Sequence, residues 1–282
     1  VSFIDALGRD SLVIAAELRP PRAELSTTAG MDAWIDTYHA IRALTRRGLF
    51  VCLTDSAVGS QEEDNLRHLV LNLGESVERD RILPFLTSKH TLEFCLAYAE
   101  RARQHGFPAL VVLGGDKSVG PPRCVEHAWQ LREAIRREQP DLKLGGWANP
   151  HGAPDTQVAF LLDAHANADF YLTQIVSHHD RAKVAAFLAA AARHRLALAG
   201  VFGVFFYRSA NPRTLAMLRE FMPVPVDALA GEFASGADAI EICARTVRAL
   251  VDEGARAIYI SNLPLRRTYA TLSQILERAG VL

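Results

Sequence analysis

The chain has 282 residues, of which 49 % are apolar and 22 % charged, with a formal net charge of −1 at pH 7. Such a length and balance suit a globular chain with a sizeable core. They exclude the strongly basic surface that binds nucleic acid or an anionic membrane. The elements then alternate, strand followed by helix. Short apolar runs bounded by Gly, Pro or Asp predict strands at 12–18, 50–54, 82–87, 109–113, 144–148, 170–174, 196–206 and 257–261. Amphipathic segments predict helices at 31–47, 64–73, 92–105, 125–137, 155–166, 182–194, 212–221 with 237–253, and 267–279. In the first of these Trp34, Ile35, Tyr38, Ile41 and Leu44 recur at helical spacing. Gly48, Gly106 and Gly254 stand where helix C-caps belong.

Eight βα units in a chain of 282 residues point to an α/β fold of the closed (β/α)8 TIM-barrel kind, one domain over residues 1–282. An open dinucleotide-binding sheet would follow its first strand with Gly-x-Gly-x-x-Gly; here that place holds Leu18-Arg19-Pro20-Pro21. The thiols Cys52, Cys95, Cys124 and Cys243 form no CxxC pair and no zinc spacing, so they read as free thiols of a reducing compartment. No signal-like segment opens the chain and no apolar run is long enough to span a bilayer, so a cytoplasmic location is expected.

In a barrel the C-terminal strand ends converge on one mouth, where active sites sit. Those ends read Glu17, Thr54-Asp55, Thr87-Ser88-Lys89-His90, Gly114-Gly115-Asp116, Trp147-Ala148-Asn149-Pro150-His151, Gln174, Phe206-Tyr207-Arg208 and Ser261-Asn262. Glu17 stands out, because a carboxylate at the end of a buried strand is costly to desolvate and well placed for proton transfer. Its bland counterpart is a solvated Glu before the Pro20-Pro21 turn. Gly114-Gly115-Asp116 is either a tight turn or a backbone that lets a flat or phosphorylated ligand come close. Gln174 ends an apolar run and needs partners or a cavity, whereas Trp147 is core or a stacking surface. His178-His179 before Asp180 reads as a solvated helix start without a role. The ring holds no HExxH-type ligand pair and no G-x-S-x-G elbow, so acid/base chemistry around an organic cofactor is expected, with no metal.

Taken in order, these ends resemble the methylenetetrahydrofolate reductase family. The family's first strand ends in a Glu-Phe-Phe-Pro-Pro-Arg type signature, here Glu17-Leu18-Arg19-Pro20-Pro21-Arg22. The later ends correspond to Leu53-Thr54-Asp55, Pro84-Phe85-Leu86-Thr87, Gly114-Gly115-Asp116, Trp147 four residues before His151, and Ala168-Asp169-Phe170-Tyr171-Leu172-Thr173-Gln174. The resemblance implies hydride transfer from NAD(P)H through FAD to 5,10-methylenetetrahydrofolate, giving 5-methyltetrahydrofolate. It makes Glu17 the general acid, Asp116 and Gln174 folate-binding residues, and Thr54, Gly115, Asp116, Trp147 and His151 residues that hold FAD. The chain departs from the pattern at Phe85, at Gly114, and in Ala159-Phe160-Leu161-Leu162-Asp163, where the family places cations against the FAD diphosphate. These departures imply weaker FAD binding, and they keep two alternatives open: a flavin-free C1-pterin reductase, and a non-catalytic folate-binding or regulatory homologue. The expected partner is a small folate or pterin, with no nucleic acid and no membrane.

Overall fold

A computed structural model of the chain describes residues 1–21, 25–55, 66 and 77–282. The apolar runs form β1 (Val13–Leu18), β2 (Phe50–Leu53), β3 (Ile82–Thr87), β4 (Ala109–Leu113), β5 (Lys143–Ala148), β6 (Phe170–Val176), β7 (Ala199–Phe205) and β8 (Ala257–Ser261). Each pairs in parallel with its sequence neighbour, and β1 also pairs with β8, so the sheet closes as a (β/α)8 barrel. Alternation along the strands separates two cores. Val13, Ala15, Phe50, Cys52, Leu83, Val111, Leu172, Val201 and Tyr259 fill the barrel. Ile14, Ala16, Val51, Leu53, Leu110, Val112 and Ile260 face outward to the helices.

The described helices are α1 (Phe3–Leu7), α2 (Thr27–Thr45), α3 (Leu92–Gln104), α4 (Ala128–Glu138), α5 (Pro154–Leu162), α6 (Arg181–Arg193), α7 (Pro212–Arg219), α8 (Val226–Ala234), α9 (Ala239–Asp252) and α10 (Thr268–Ala279). The segment expected as helix at 64–73 lies outside the described residues, apart from Leu66. Two helices go beyond the sequence expectation. α1 spans only 5 residues, too few for a periodicity; Ser2 caps it, and Phe3 plugs the barrel floor edge-on to Phe50 (5.4 Å) and Phe170 (5.7 Å). α8 begins straight after Pro223-Val224-Pro225, a stretch that reads as loop. Gly48, Gly106 and Gly254 take the positive φ expected of C-caps. No described helix is long and apolar enough to cross a membrane.

β6 runs two residues beyond its expected end, because its pairing with β7 shifts between Leu172 and Ile175. The irregularity is held by side chains. The Thr173 hydroxyl accepts the Gly203 N–H at 3.0 Å, and Tyr259 Oη donates to the Thr173 carbonyl at 2.7 Å. Tyr259 reaches β6 by lying across Gly203, where an added Cβ would fall 2.5 Å from Oη. Asp169, part of the family-like motif, serves the fold and not the mouth, since it accepts from Arg136 at 2.5 Å and from the Leu144 N–H at 2.8 Å. Gly203→Ala is expected to cost about 1–3 kcal/mol, since the tyrosine must leave its rotamer or the strand must move. Urea midpoints of variant and parent measure this; a loss below ~0.5 kcal/mol would show that the Tyr259 ring does not rest on Gly203.

Candidate active site at the barrel mouth

Glu17 continues the inward series Val13, Ala15 one step toward the mouth and pairs in register with Cys52. Solvent reaches part of the residue from the open end, while protein surrounds the carboxyl itself. Burial raises its pKa above the ordinary 4.5; a hydrogen bond with Ser261 and, more weakly, the charge of Arg19 oppose that rise. Its neighbours respond to it. Burial, reinforced by Glu17, lifts the Cys52 thiol, and burial together with Glu17 and Cys52 lifts the Tyr259 phenol. Neither is a competing proton donor near neutrality.

Tyr259 links this acid to β6, where Gln174 follows Thr173. Gln174 Oε1 accepts the N–H of Ile175 at 2.9 Å, and its amide NH2 donates to no described residue. A cavity of 640 Å3 opens beside it, lined also by His179, Asp180, Lys183 and Arg219. His151 lies on the same side, its Nε2 2.9 Å from the Ile175 carbonyl and its Nδ1 3.3 Å from Lys183 Nζ. Trp147, like Leu113 and Phe205, packs against the inner core, and Thr54 extends the pairing of β2 with its N–H 3.0 Å from the Leu18 carbonyl. Glu17, Trp147, Gln174 and His151 thus gather around the strand ends.

Asp116 is placed differently. Its Oδ1 accepts the N–H and hydroxyl of Ser118, both at 2.7 Å, and these bonds hold its carboxyl below the ordinary range. It shapes its own loop as an ionised group. Gly115, at φ 74°, gives its carbonyl to Arg123, whose guanidinium rests where a side chain on Gly114 would be. Lys89 is buried under the same loop and donates to the Val119 and Pro121 carbonyls at 2.6 and 2.8 Å.

One pair at the mouth is not singled out by the sequence. Asp55 accepts the Thr87 N–H at 2.7 Å and the Thr87 hydroxyl at 2.8 Å, and His90 Nε2 lies 2.8 Å from the same oxygen. Both residues follow predicted strands, but nothing in the sequence pairs them. A second departure is the His178-His179 step: it does open the turn that leads into α6, with His179 exposed, but both rings also meet Glu232, 54 residues away from His178 along the chain.

The described residues do not fit an FAD diphosphate where the resemblance puts it. α5 carries no basic residue and exposes Phe160 and Leu162 at 63 % and 47 %. His151 and Asp116 are turned to protein partners, and Arg123 is held by the Gly115 and Glu126 carbonyls. A doubly charged group set against an apolar helix face lacks the charge-assisted hydrogen bonds that hold diphosphates.

No protein-family model matches the chain, and no curated protein does. A solved structure does: it is described as an uncharacterized protein from Clostridium thermocellum that binds two copies of 5-methyl-5,6,7,8-tetrahydrofolic acid. The two align with a TM-score of 0.70 at 15 % identity, over 99 % of this chain and 98 % of the other. At that identity the likeness carries the fold.

The raised carboxyl of Glu17 makes stability depend on pH with a definite sign. The fold favours the protonated form, so this contribution is complete below the ordinary value of 4.5 and is lost as pH rises through the raised value in the folded chain. Glu17→Gln, which stays neutral, is expected to unfold later than the parent at pH 8 and to lose that advantage at pH 4. Melting curves at both pH values check this, and parallel shifts at the two would mean that Glu17 is an ordinary carboxylate.

Proposed function

We propose that the barrel mouth binds a tetrahydropterin of the folate class and that Glu17 is the proton donor for reduction of its one-carbon unit. One observation carries the reading: a carboxyl enclosed at the mouth of a (β/α)8 barrel, where burial pushes its pKa above the ordinary range. The barrel's likeness to a protein that binds 5-methyl-5,6,7,8-tetrahydrofolic acid supports the ligand class. Gln174, with an amide NH2 that no described residue accepts, is the hydrogen-bonding group for the pterin. Trp147 is the flat apolar surface beside it, and Asp116 shapes the loop that borders the ligand.

In this reading the substrate is 5,10-methylenetetrahydrofolate. Protonation of its N10 by Glu17 breaks the bond from N10 to the methylene carbon and leaves an iminium at N5. A hydride from reduced nicotinamide adds to that carbon, giving the N5-methyl product and oxidised nicotinamide, and Glu17 regains its proton from solvent. Burial serves both halves of the step: it keeps the acid loaded, and it excludes water from the iminium. The donor acts here without a bound flavin, which the apolar surface of α5 supports.

Two measurements test the reading. Calorimetric titration with 5-methyltetrahydrofolate is expected to show saturable binding that Glu17→Gln retains. Oxidation of NAD(P)H in the presence of 5,10-methylenetetrahydrofolate is expected to fall by about 10²–10⁴-fold in the same variant. Binding without turnover in the parent would make the protein a folate binder, and turnover unchanged in Glu17→Gln would remove the acid from the mechanism. In a separate titration FAD fluorescence is expected to stay unquenched at micromolar protein; sub-micromolar binding would restore flavin as the hydride carrier.

A further inference from the structure

His178 and His179 stand on a single turn directly after β6, fixed by the capping pair of Ser177 and Asp180, with Ser177 Oγ 2.9 Å from Asp180 Oδ2. Glu232 comes from α8, in the excursion between β7 and β8. Each carboxylate oxygen faces one imidazole: Oε1 lies 3.0 Å from His178 Nε2, and Oε2 lies 3.0 Å from His179 Nε2. The three donor groups fall within 4.8 Å of one another.

The other ring nitrogen of His178 has a fixed partner. Its Nδ1 lies 2.9 Å from Thr246 Oγ1, and that hydroxyl donates its own proton to the Ile242 carbonyl at 3.3 Å. The same hydroxyl accepts the His178 backbone N–H at 3.3 Å, and it can accept from Nδ1 as well, in the tautomer that frees Nε2 for a metal. In that tautomer Nε2 turns a lone pair toward the carboxylate 3.0 Å away, and a bound cation takes the place that the proton of a His–Glu hydrogen bond holds in the other tautomer. An outward N–H bonded to a protein oxygen is also how ligating histidines are usually oriented. Arg245 holds Glu232 from outside, its guanidinium 2.8 Å from Oε1, which keeps the carboxylate ionised and leaves Oε2 for a ligand bond.

We propose that His178, His179 and Glu232 form a binding site for a zinc-class divalent cation, a site independent of the folate reading. Bonds of about 2.0–2.1 Å at the tetrahedral angle separate ligand atoms by roughly 3.3 Å, a separation that small side-chain adjustments reach from ligand atoms already within 4.8 Å of one another. Three protein ligands leave one position open, as in zinc sites that keep a water. The open side is legible: His179, the most exposed of the three, also lines the cavity beside Gln174. Two imidazoles and one carboxylate select borderline metals over Mg2+ and Ca2+, which prefer an all-oxygen shell.

The test uses the full chain stripped with a chelator and then titrated with Zn2+ against a chromophoric competitor, with Mg2+ in parallel. Zn2+ is expected to bind one per chain, at least 100-fold tighter than Mg2+. Co2+ in its place is expected to give the intense visible bands of a tetrahedral site. Glu232→Gln and His178→Ala are expected to abolish both signals. Thr246→Val, which removes only the hydroxyl that orients His178, is expected to weaken Zn2+ binding by about 10–100-fold. Circular dichroism of each variant separates loss of the site from loss of the fold. Absence of stoichiometric binding, or Zn2+ binding that survives Glu232→Gln in a folded variant, would overturn the proposal; the Co2+ spectrum of the unmutated chain decides it without any variant.

Discussion

A parallel strand that is hydrogen-bonded along both edges and packed on both faces can carry a charge only at its ends. The closed barrel applies that constraint eight times and collects the results on one rim. Below the rim the inner core residues are apolar, the Cys52 thiol among them, and α1 seals the floor with Phe3. Glu17 sits one inward step above Ala15, far enough along to reach the mouth and still within the wall. Its raised pKa follows from that position. Ser261, at the end of the neighbouring strand, gives the hydrogen bond such a position allows, and Arg19 adds a weaker pull from outside. Burial at such a place favours the neutral form of the carboxyl.

The second organising contact is the reach of Tyr259 across Gly203 to the Thr173 carbonyl. It depends on a missing side chain on β7 and on the irregular pairing of β6, and it ties the strand that borders Glu17 to the strand that carries Gln174. The acid and the amide therefore occupy one rigid framework instead of two independent loops. The loop after β4 is built the other way, from its own side chains: Asp116 on Ser118, Arg123 on Gly115, Lys89 on Val119 and Pro121.

The strands are legible in the sequence because their burial on both faces leaves no ambiguity of period. β3, β4 and β8 have the bounds their apolar runs predict. β6 looks shorter in the sequence than it is because Gln174 resembles a terminus; the residue sits inside the strand, at a register shift that only the partner strand reveals. β7 looks longer because Leu196-Ala197-Leu198 is apolar, yet those residues line a surface hollow before pairing begins. Glu17 is visible from its place after an apolar run. Asp55 with His90, and His178 and His179 with Glu232, are not, since each set is assembled by residues 35 to 54 positions apart whose meeting depends on the packing of connecting segments.

The central claim is that burial raises the pKa of the Glu17 carboxyl above the ordinary range. Carbon-13 NMR of the chain labelled at glutamate carboxyls measures that directly, with Glu17→Gln assigning the resonance. The account predicts one carboxyl signal, absent in the variant, that titrates above the ordinary value of 4.5 and remains in its protonated position when the surface glutamates have ionised. A Glu17 resonance that titrates at or below that value would contradict it.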